Sequence, residues 1–236
     1  MSPALVISRR EIRTYFNSPV AYIVVTVFTG ISGYLFFTQL FLEKQAELRQ
    51  LFGFMPFLFM FMVPAITMRL LADEKASGTL ELLSTMPVRD WEVVLGKFLA
   101  ALTLVATALG LTLVFAFTVR MLGPLDRGPA IGGYIGLLLM GAAFVSIGVM
   151  CSAFTRNSIV AFISSFGIGF ALYLFGKLTQ FMPTALQPLV SFLSIDGHFE
   201  SIGRGVVDTR DVIYYLSVVG TCLLLATTSL ESRRWK

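Results

Sequence analysis

Charged residues are scarce in this sequence. Of its 236 residues, 18 are Lys or Arg and 14 are Asp or Glu, so 14% are charged while 56% are hydrophobic. A soluble domain carries about a quarter charged residues, because polar side chains must cover its surface. The scarcity of charge excludes a soluble enzyme, a disordered regulator and a nucleic-acid-binding domain. It predicts one integral membrane domain.

Histidine and cysteine are also scarce. His198 is the only histidine, which excludes a metal centre built from several histidines. Cys151 and Cys222 both lie in apolar runs, so we expect packing residues rather than a disulfide framework or a metal site. We expect no metal and no cofactor on this chain.

The predicted spans also lack the groups that an intramembrane enzyme or a channel needs. They contain no paired catalytic acids, no Ser-His pair and no HExxH zinc motif. Nothing in them resembles a carbonyl filter or a ring of charge. Both functions are therefore disfavoured.

Long apolar stretches take the place of charge. Crossing the hydrocarbon layer takes about 20 residues. Six spans are predicted, approximately at residues 20–42, 51–70, 98–121, 130–154, 158–176 and 212–230. A seventh apolar stretch, 178–195, contains Pro183 and Pro188, which favours a re-entrant or interfacial hairpin outside the set of spans.

Basic residues flank the outermost spans. They are Arg9, Arg10, Arg13, Arg233, Arg234 and Lys236. Lysine and arginine are enriched on the cytoplasmic side of membrane proteins, so both chain ends are predicted to be cytoplasmic. Two cytoplasmic ends require an even number of crossings, in agreement with six.

The segment before the first span has the pattern of an amphipathic helix. Pro3 suits the first turn of a helix after Ser2. Leu5, Ile12 and Phe16 then share one face, with arginines on the other. We expect an interfacial helix on the inner membrane surface; the alternative is a solvated leader.

Small residues spaced four apart indicate where helices could approach closely in lipid. They are Gly132 with Gly136, Ala142 with Ser146, and Ala161 with Ser165 and Gly169. We expect contacts between spans at these stripes; the alternative is ordinary membrane-helix composition.

The loop at residues 69–97, between the second and third spans, holds nine charged residues. Gly78 suits a turn, and Thr79 can cap a short helix that Pro87 ends. Asp90 can cap the helix that follows. The short, half-apolar helix at Thr79–Met86 suits either a groove on a soluble partner or a position on the lipid headgroups.

Two stretches carry a family resemblance. The first resembles the signature of ABC-2 type transporter permeases through Glu74-Lys75, Gly78-Thr79, Glu81, Leu82-Leu83, Pro87 and Gly96-Lys97. The second, Ser194–Asp211, resembles the segment before the last span in the gliding-motility-type and copper-processing-type permeases of that family. Its matching residues are His198, Phe199, Glu200, Arg204, Gly205, Val206, Asp208, Arg210 and Asp211. Asp196-Gly197 departs from the expected pattern before His198.

The resemblance implies an all-α integral membrane fold of six transmembrane helices with both termini inside. It implies an interfacial N-terminal helix, a cytoplasmic coupling helix between spans two and three, and an external re-entrant hairpin at 178–211 between spans five and six. The chain would be the permease of an ABC exporter in a bacterial cytoplasmic membrane. Two permease chains, identical or homologous, would pair, and two copies of a separate ATPase would dock on them. ATP and magnesium would bind that ATPase, since this sequence has no GxxxxGK[ST] loop.

The resemblance also assigns residues. Those at the ATPase-coupling interface are Arg69, Glu74, Lys75, Gly78, Thr79, Glu81, Leu82, Leu83 and Pro87. Those of a polar cluster on the external hairpin are His198, Glu200, Arg204, Asp208, Arg210 and Asp211. This cluster could bind substrate, or it could be a salt-bridged loop that closes the pathway.

The work done by such a complex has two interpretations. It could export a lipid, a polysaccharide or another amphipathic molecule. It could instead transmit force to a large external-domain protein and move no substrate, as the gliding-motility resemblance suggests. Both interpretations require the same coupling loop.

Overall fold

The computed structural model describes residues 2–43, 47–79, 88–179, 183, 187–206 and 208–232. The regular structure within these ranges is helical. The helices are α1 (Pro3–Asn17), α2 (Pro19–Glu43), α3 (Arg49–Thr67), α4 (Ala72–Ser77), α5 (Asp90–Leu122), α6 (Arg127–Phe154), α7 (Ser158–Leu178), α8 (Gln187–Leu193), α9 (Ile195–Gly203) and α10 (Thr209–Glu231).

Six segments of the described chain are long and apolar enough to cross a membrane. They are Pro19–Leu42, Arg49–Ser77, Asp90–Leu122, Arg127–Phe154, Ser158–Leu178 and Thr209–Glu231. The predicted number of spans is confirmed, and the chain is a multi-pass membrane protein. Several helices extend past the uncharged stretches, because helical hydrogen bonding continues through the charged residues at their ends.

The centre of the bundle is α6, which contacts α3, α5, α7, α9 and α10. Its side chains Leu137, Met140 and Phe144 are buried and fill the interior of the helix bundle. In contrast, α2, α7 and α10 bury few of their residues and expose large apolar side chains such as Ile163 and Leu224. These peripheral faces suit contact with lipid or with another membrane chain.

The bundle has two polar ends. At the α1 end, helices α1 and α4 meet the start of α5 and the last turns of α6 and α10. At the α9 end, helices α8 and α9 meet the start of α10, and the chain just after α9 meets the start of α6.

Helix α1 begins at Pro3 as predicted and packs closely on α5. Ala4 and Ser8 are its buried residues. A Cβ atom on Gly96 of α5 would lie 2.8 Å from the Ala4 carbonyl oxygen, so this approach requires glycine. Leu5 stays 53% exposed and takes no part in the packing.

Two of the three small-residue stripes have opposite outcomes. Ala161, Ser165 and Gly169 are the buried residues of α7, and a Cβ on Gly169 would meet the Phe144 ring of α6, so this contact between spans is confirmed. Gly132 instead lies against the carbonyl of Ile202 in α9. The expectation that its stripe joins two spans is wrong, because a short helix of the loop fills that space.

The loop after α3 also differs in part from the prediction. Gly78 ends α4 with a φ of 74°, so the predicted turn is confirmed. The expectation that Asp90 caps α5 is wrong, because Arg89 is the N-cap. The backbone N–H of Arg89 donates a 2.9 Å hydrogen bond to the Glu92 carboxylate. Beyond Thr79, the predicted helix at Thr79–Met86 lies outside the described residues.

Candidate functional site

The α1 end contains a buried ion cluster formed by Glu11, Glu74 and Lys97. The Lys97 Nζ lies 2.7 Å from Glu74 Oε1 and 3.1 Å from Glu11 Oε1. The Lys97 side chain is 2% exposed. Glu11 belongs to α1, Glu74 to α4 and Lys97 to α5, so this Lys97 cluster joins the first helix to two helices that come much later in the sequence.

The charges in the Lys97 cluster explain why the lysine can be buried. Removing an ammonium group from water costs several kcal/mol unless an opposite charge lies beside it. Two carboxylates offset one ammonium here and leave a formal excess of one negative charge. Glu74 Oε2 is buried without a hydrogen-bond partner among the described residues. The cluster therefore retains a free acceptor beside the loop that follows α4.

A serine at the end of α6 binds the turn before α4. Ser152 Oγ accepts hydrogen bonds from the backbone N–H groups of Leu71 and Ala72, each at 3.0 Å. It donates a third, also at 3.0 Å, to the Met68 carbonyl. One buried hydroxyl thus satisfies three backbone groups where the chain leaves α3 and enters α4.

The next residue of α6, Ala153, bonds to α4 again and to one further helix, α10. The Ala153 carbonyl accepts a hydrogen bond from the ammonium of Lys75 in α4. It also accepts one from Ser229 Oγ in α10, at 3.0 Å. The last turn of α6 is therefore bonded to both α4 and the final span.

Tyr15 ties α1 to α3. Its hydroxyl donates to the Ile66 carbonyl at 3.1 Å. Burial raises the pKa of Tyr15 well above its usual range, and the nearby Glu11 carboxylate raises it further. The phenol therefore stays protonated and keeps its donor at physiological pH.

The residues assigned to the coupling interface do not share one environment in the structure. Glu74 joins the Lys97 cluster, and Lys75 binds α6. Arg69 remains exposed, 3.9 Å from Asp73, and Thr79 donates a 3.4 Å hydrogen bond back to the Glu74 carbonyl. Glu81, Leu82, Leu83 and Pro87 lie outside the described residues, as does any contact they make.

Sequence reasoning missed the partners of Lys97. Lysine near the start of an apolar span needs an opposite charge, because burial without one is costly. Glu11, the one acidic residue of α1, is a candidate on that ground, but local sequence does not show that α1 lies beside the start of α5. No comparable signal identified Ser152, since a serine in an apolar helix is common.

At the α9 end, His198 connects three helices. Its Nδ1 lies 2.7 Å from Asp211 Oδ1 of α10, and its Nε2 lies 3.1 Å from the Phe192 carbonyl of α8. The imidazole stacks on the Tyr214 ring with 4.1 Å between ring centroids. Tyr214 in turn donates to the Leu193 carbonyl at 2.9 Å. This network fixes α8 and α9 against the start of the last span.

An ion pair at the α9 end was not predicted. Lys177 Nζ at the end of α7 lies 2.6 Å from Asp196 Oδ2 in α9. The Tyr215 hydroxyl donates to the neighbouring Ile195 carbonyl at 2.7 Å. A cavity of about 440 Å³ adjoins the pair, lined in part by Thr179, Gln187 and Glu200. Helix α9 is thus held from two sides.

The remaining members of the predicted external cluster do not converge on one point. Asp208 caps α10 by accepting a 2.9 Å hydrogen bond from the Arg210 backbone N–H. Arg204 Nε donates to the Glu200 carbonyl at 3.3 Å, and the Arg210 side chain is exposed. Of the six, only His198 and Asp211 make a side-chain contact with each other among the described interactions. The described residues contain no group of three or more His, Cys, Asp or Glu able to hold a metal ion.

Comparison with known proteins bears on the identity of the chain. A family model described as "ABC-2 family transporter protein" matches residues 9–229. A comparison with curated proteins finds no match. The matched range includes the Lys97 cluster and the His198–Asp211 pair. Because it covers nearly the whole chain, the protein belongs to the ABC-2 family of membrane transporter proteins.

Proposed function

We propose that this chain is the permease subunit of an ABC exporter and that an ATPase subunit docks at its α1 end. The observation that carries the proposal is the Lys97 cluster. It binds the loop that resembles the ABC-2 coupling signature to both α1 and the third span. An ATPase that pressed on residues 80–87 would therefore also move the preceding helix α4, which is bonded to the spans.

The bonds around α4 supply a route for such a movement. Glu74 and Lys75 are consecutive residues of α4 that extend in different directions, Glu74 toward Lys97 of α5 and Lys75 toward Ala153 of α6. Displacement of α4 would act on both spans together. ATP and magnesium would bind the ATPase, and this chain would contribute no catalytic group.

The proposed orientation places the α1 end in the cytoplasm. Arg9, Arg10 and Arg13 of α1 lie at this end, and basic residues favour the cytoplasmic side. Helices α8 and α9 would then lie at the outer surface. Soluble ATP-binding subunits would meet the loop after α4 on the side where ATP is available.

A second permease chain belongs to the proposal. Leu137, Met140 and Phe144 fill the centre of the bundle, so a transport pathway fits between two copies better than through one. The exposed apolar faces of α2, α7 and α10 could meet such a copy. Two identical or homologous permeases and two ATPase subunits would form the complex.

The proposed subtype is the gliding-motility or copper-processing type of permease. Support comes from the segment Ser194–Asp211, where the matching residues His198 and Asp211 contact each other. The same filled core favours a second candidate function, in which the complex transmits force to an external protein and moves no substrate. Lipids, glycans and other amphipathic molecules are the substrates of the first candidate.

The test uses the complex purified from its native membrane through a tag on this chain. Mass spectrometry should identify an ATPase subunit, and the variant with Glu81→Ala and Leu83→Ala should lose most of it together with stimulated ATP hydrolysis. The variant Arg127→Gln, altered at the α9 end, is the control. Unchanged assembly and hydrolysis in the double variant would contradict the coupling assignment.

Orientation has a separate test. Single cysteines replacing Asp73 and Glu200, both exposed residues at opposite ends, are treated with a membrane-impermeant maleimide in intact cells, with Cys151 and Cys222 changed to Ala. Labelling at position 200 alone agrees with the proposal. Labelling at position 73 alone would reverse the orientation.

A further inference from the structure

Helix α1 presents an arginine stripe formed by Arg9, Arg10 and Arg13. All three side chains are exposed, and no ion pair involving them occurs within the described chain. With Val6 they line a shallow cavity of about 400 Å³. The spacing 6, 9, 10 and 13 places the four residues on one side of the helix.

The stripe has no acidic residue to balance it on its own helix. Glu11, the only carboxylate of α1, points away from the stripe and toward the buried Lys97. Ala4 and Ser8 occupy the same buried side as Glu11. Three positive charges thus remain on the outer side of α1, where an anionic ligand would meet no competing carboxylate from this helix.

Apolar side chains next to the stripe indicate a lipid environment rather than water. Leu5 is 53% exposed and Val6 is 54% exposed. Tyr22 and Ile23, in the first turns of the adjoining span α2, are also exposed. Exposed apolar groups beside guanidinium groups are typical of a helix in the headgroup region of a bilayer.

We propose that the arginine stripe binds the phosphate groups of acidic phospholipids. A guanidinium matches a phosphate with two parallel hydrogen bonds, and a negatively charged lipid also satisfies the uncompensated charge. Charge complementarity and the adjoining apolar surface together favour this occupant over an acidic surface of a soluble protein. A protein surface would leave Leu5 and Val6 against water or polar groups.

Bound lipid would also act on the proposed coupling site. The arginines and Glu11 extend from different sides of one helix, so holding the stripe at the headgroups holds Glu11 against Lys97. This consequence rests on the proposed function, because it assumes that the Lys97 cluster transmits movement. Lipid binding itself requires only that α1 lie at a membrane surface.

The test begins with the purified full-length chain in mild detergent, without an ATPase. Dioleoyl phosphatidylglycerol or dioleoyl phosphatidylcholine is added, and retained lipid is counted by native mass spectrometry while affinity is taken from the lipid-dependent rise in Tm. We expect preference for phosphatidylglycerol. Arg9→Gln, Arg10→Gln and Arg13→Gln combined should weaken its binding about 100-fold, at about fivefold per arginine.

The control removes the same charge from the α9 end through Arg49→Gln, Arg120→Gln and Arg127→Gln, three exposed arginines. It should keep the lipid preference. A second variant with lysine at positions 9, 10 and 13 retains charge and fold, and it should keep part of the preference. Equal phosphatidylglycerol binding by the glutamine variant, or equal loss in the control, would overturn the proposal.

A further measurement separates this proposal from the proposed function. The complex is reconstituted in vesicles of phosphatidylcholine alone or with 30% phosphatidylglycerol, and ATPase co-purification is measured beside lipid retention. A glutamine variant that keeps its lipid but loses the ATPase would show that the stripe meets the protein instead. Lipid retention without any ATPase partner would support the stripe and count against the proposed function.

Discussion

Lys97 of α5 reaches Glu11 of α1 across 3.1 Å, although 86 positions separate them in the sequence. The pair closes a ring in which the first helix and the third span are linked both by contact and by the intervening chain. Glu74 completes the arrangement from α4. Three helices that begin in the first half of the chain thus meet at a single buried ammonium group.

Replacing Lys97 with methionine should destabilise the protein. The change removes two charge-assisted hydrogen bonds and leaves Glu11 and Glu74 near each other without a cation. We expect a loss of about 1.5–3 kcal/mol in the free energy of unfolding, seen as a lower Tm in detergent. Arg69→Met is the matched control, because its pair with Asp73 is exposed and contributes about 0–1 kcal/mol. Equal Tm values for the two variants would contradict the role of the cluster.

Ser152→Ala should loosen the start of α4. The variant loses the acceptor for the buried N–H groups of Leu71 and Ala72. Leaving a buried donor without an acceptor costs about 1–3 kcal/mol in the free energy of unfolding. Hydrogen exchange at these two amides should become faster while exchange in the middle of α6 stays slow. Ser164→Ala is the control, since its hydroxyl donates to the Val160 and Ala161 carbonyls of its own helix and the described interactions include none between it and the turn before α4. Unchanged exchange at Leu71 would show that other groups hold the turn.

Gly148→Ala should force α3 and α6 apart. A Cβ atom at this position would lie 2.0 Å from Thr67 Oγ1 and 2.7 Å from Thr67 Cβ. Overpacking of this kind costs about 1–3 kcal/mol, so Tm should fall. Gly110→Ala in α5 meets no atom within 4 Å and should leave Tm equal or higher, because alanine favours a helix. A stable Gly148→Ala protein would mean that the helices can separate freely.

His198→Ala should release α8 and α9 from the last span. The imidazole of His198 lies between two acceptors, the Asp211 carboxylate at 2.7 Å and the Phe192 carbonyl at 3.1 Å. Without the ring, the buried Asp211 loses its only described side-chain partner. Hydrogen exchange across residues 190–203 should rise several-fold. Glu200→Gln, at an exposed position of the same helix, is the control. Identical exchange in both variants would exclude a holding role for His198.

The fold was largely predictable because of its composition. Uncharged stretches of 20 or more residues have few alternatives to spanning a membrane, so the six spans and the start of α1 at Pro3 followed from local sequence. Gly78 was predictable for a similar reason, since glycine readily takes the left-handed conformation that ends a helix.

Contacts between distant segments were less predictable. Local sequence shows that Lys97 needs a partner but not which carboxylate can reach it across three helices. Gly132 and Gly136 indicated a close approach without showing that α9, rather than another span, makes it. Asp90 was the expected cap of α5, but the N-cap lies one residue earlier, at Arg89, whose backbone N–H donates to the Glu92 carboxylate.

Helix α6 connects the two ends of the molecule as one uninterrupted unit. Its 28 residues extend about 42 Å at about 1.5 Å per residue. Ser152 and Ala153 are bonded to α4 at one end, while Gly132 and Gly136 touch α9 at the other. A helix bonded at both ends would transmit an axial displacement from α4 to α9 along its own length. In the proposed orientation, movement at the inner face would then reposition the outer helices without a channel opening through the chain.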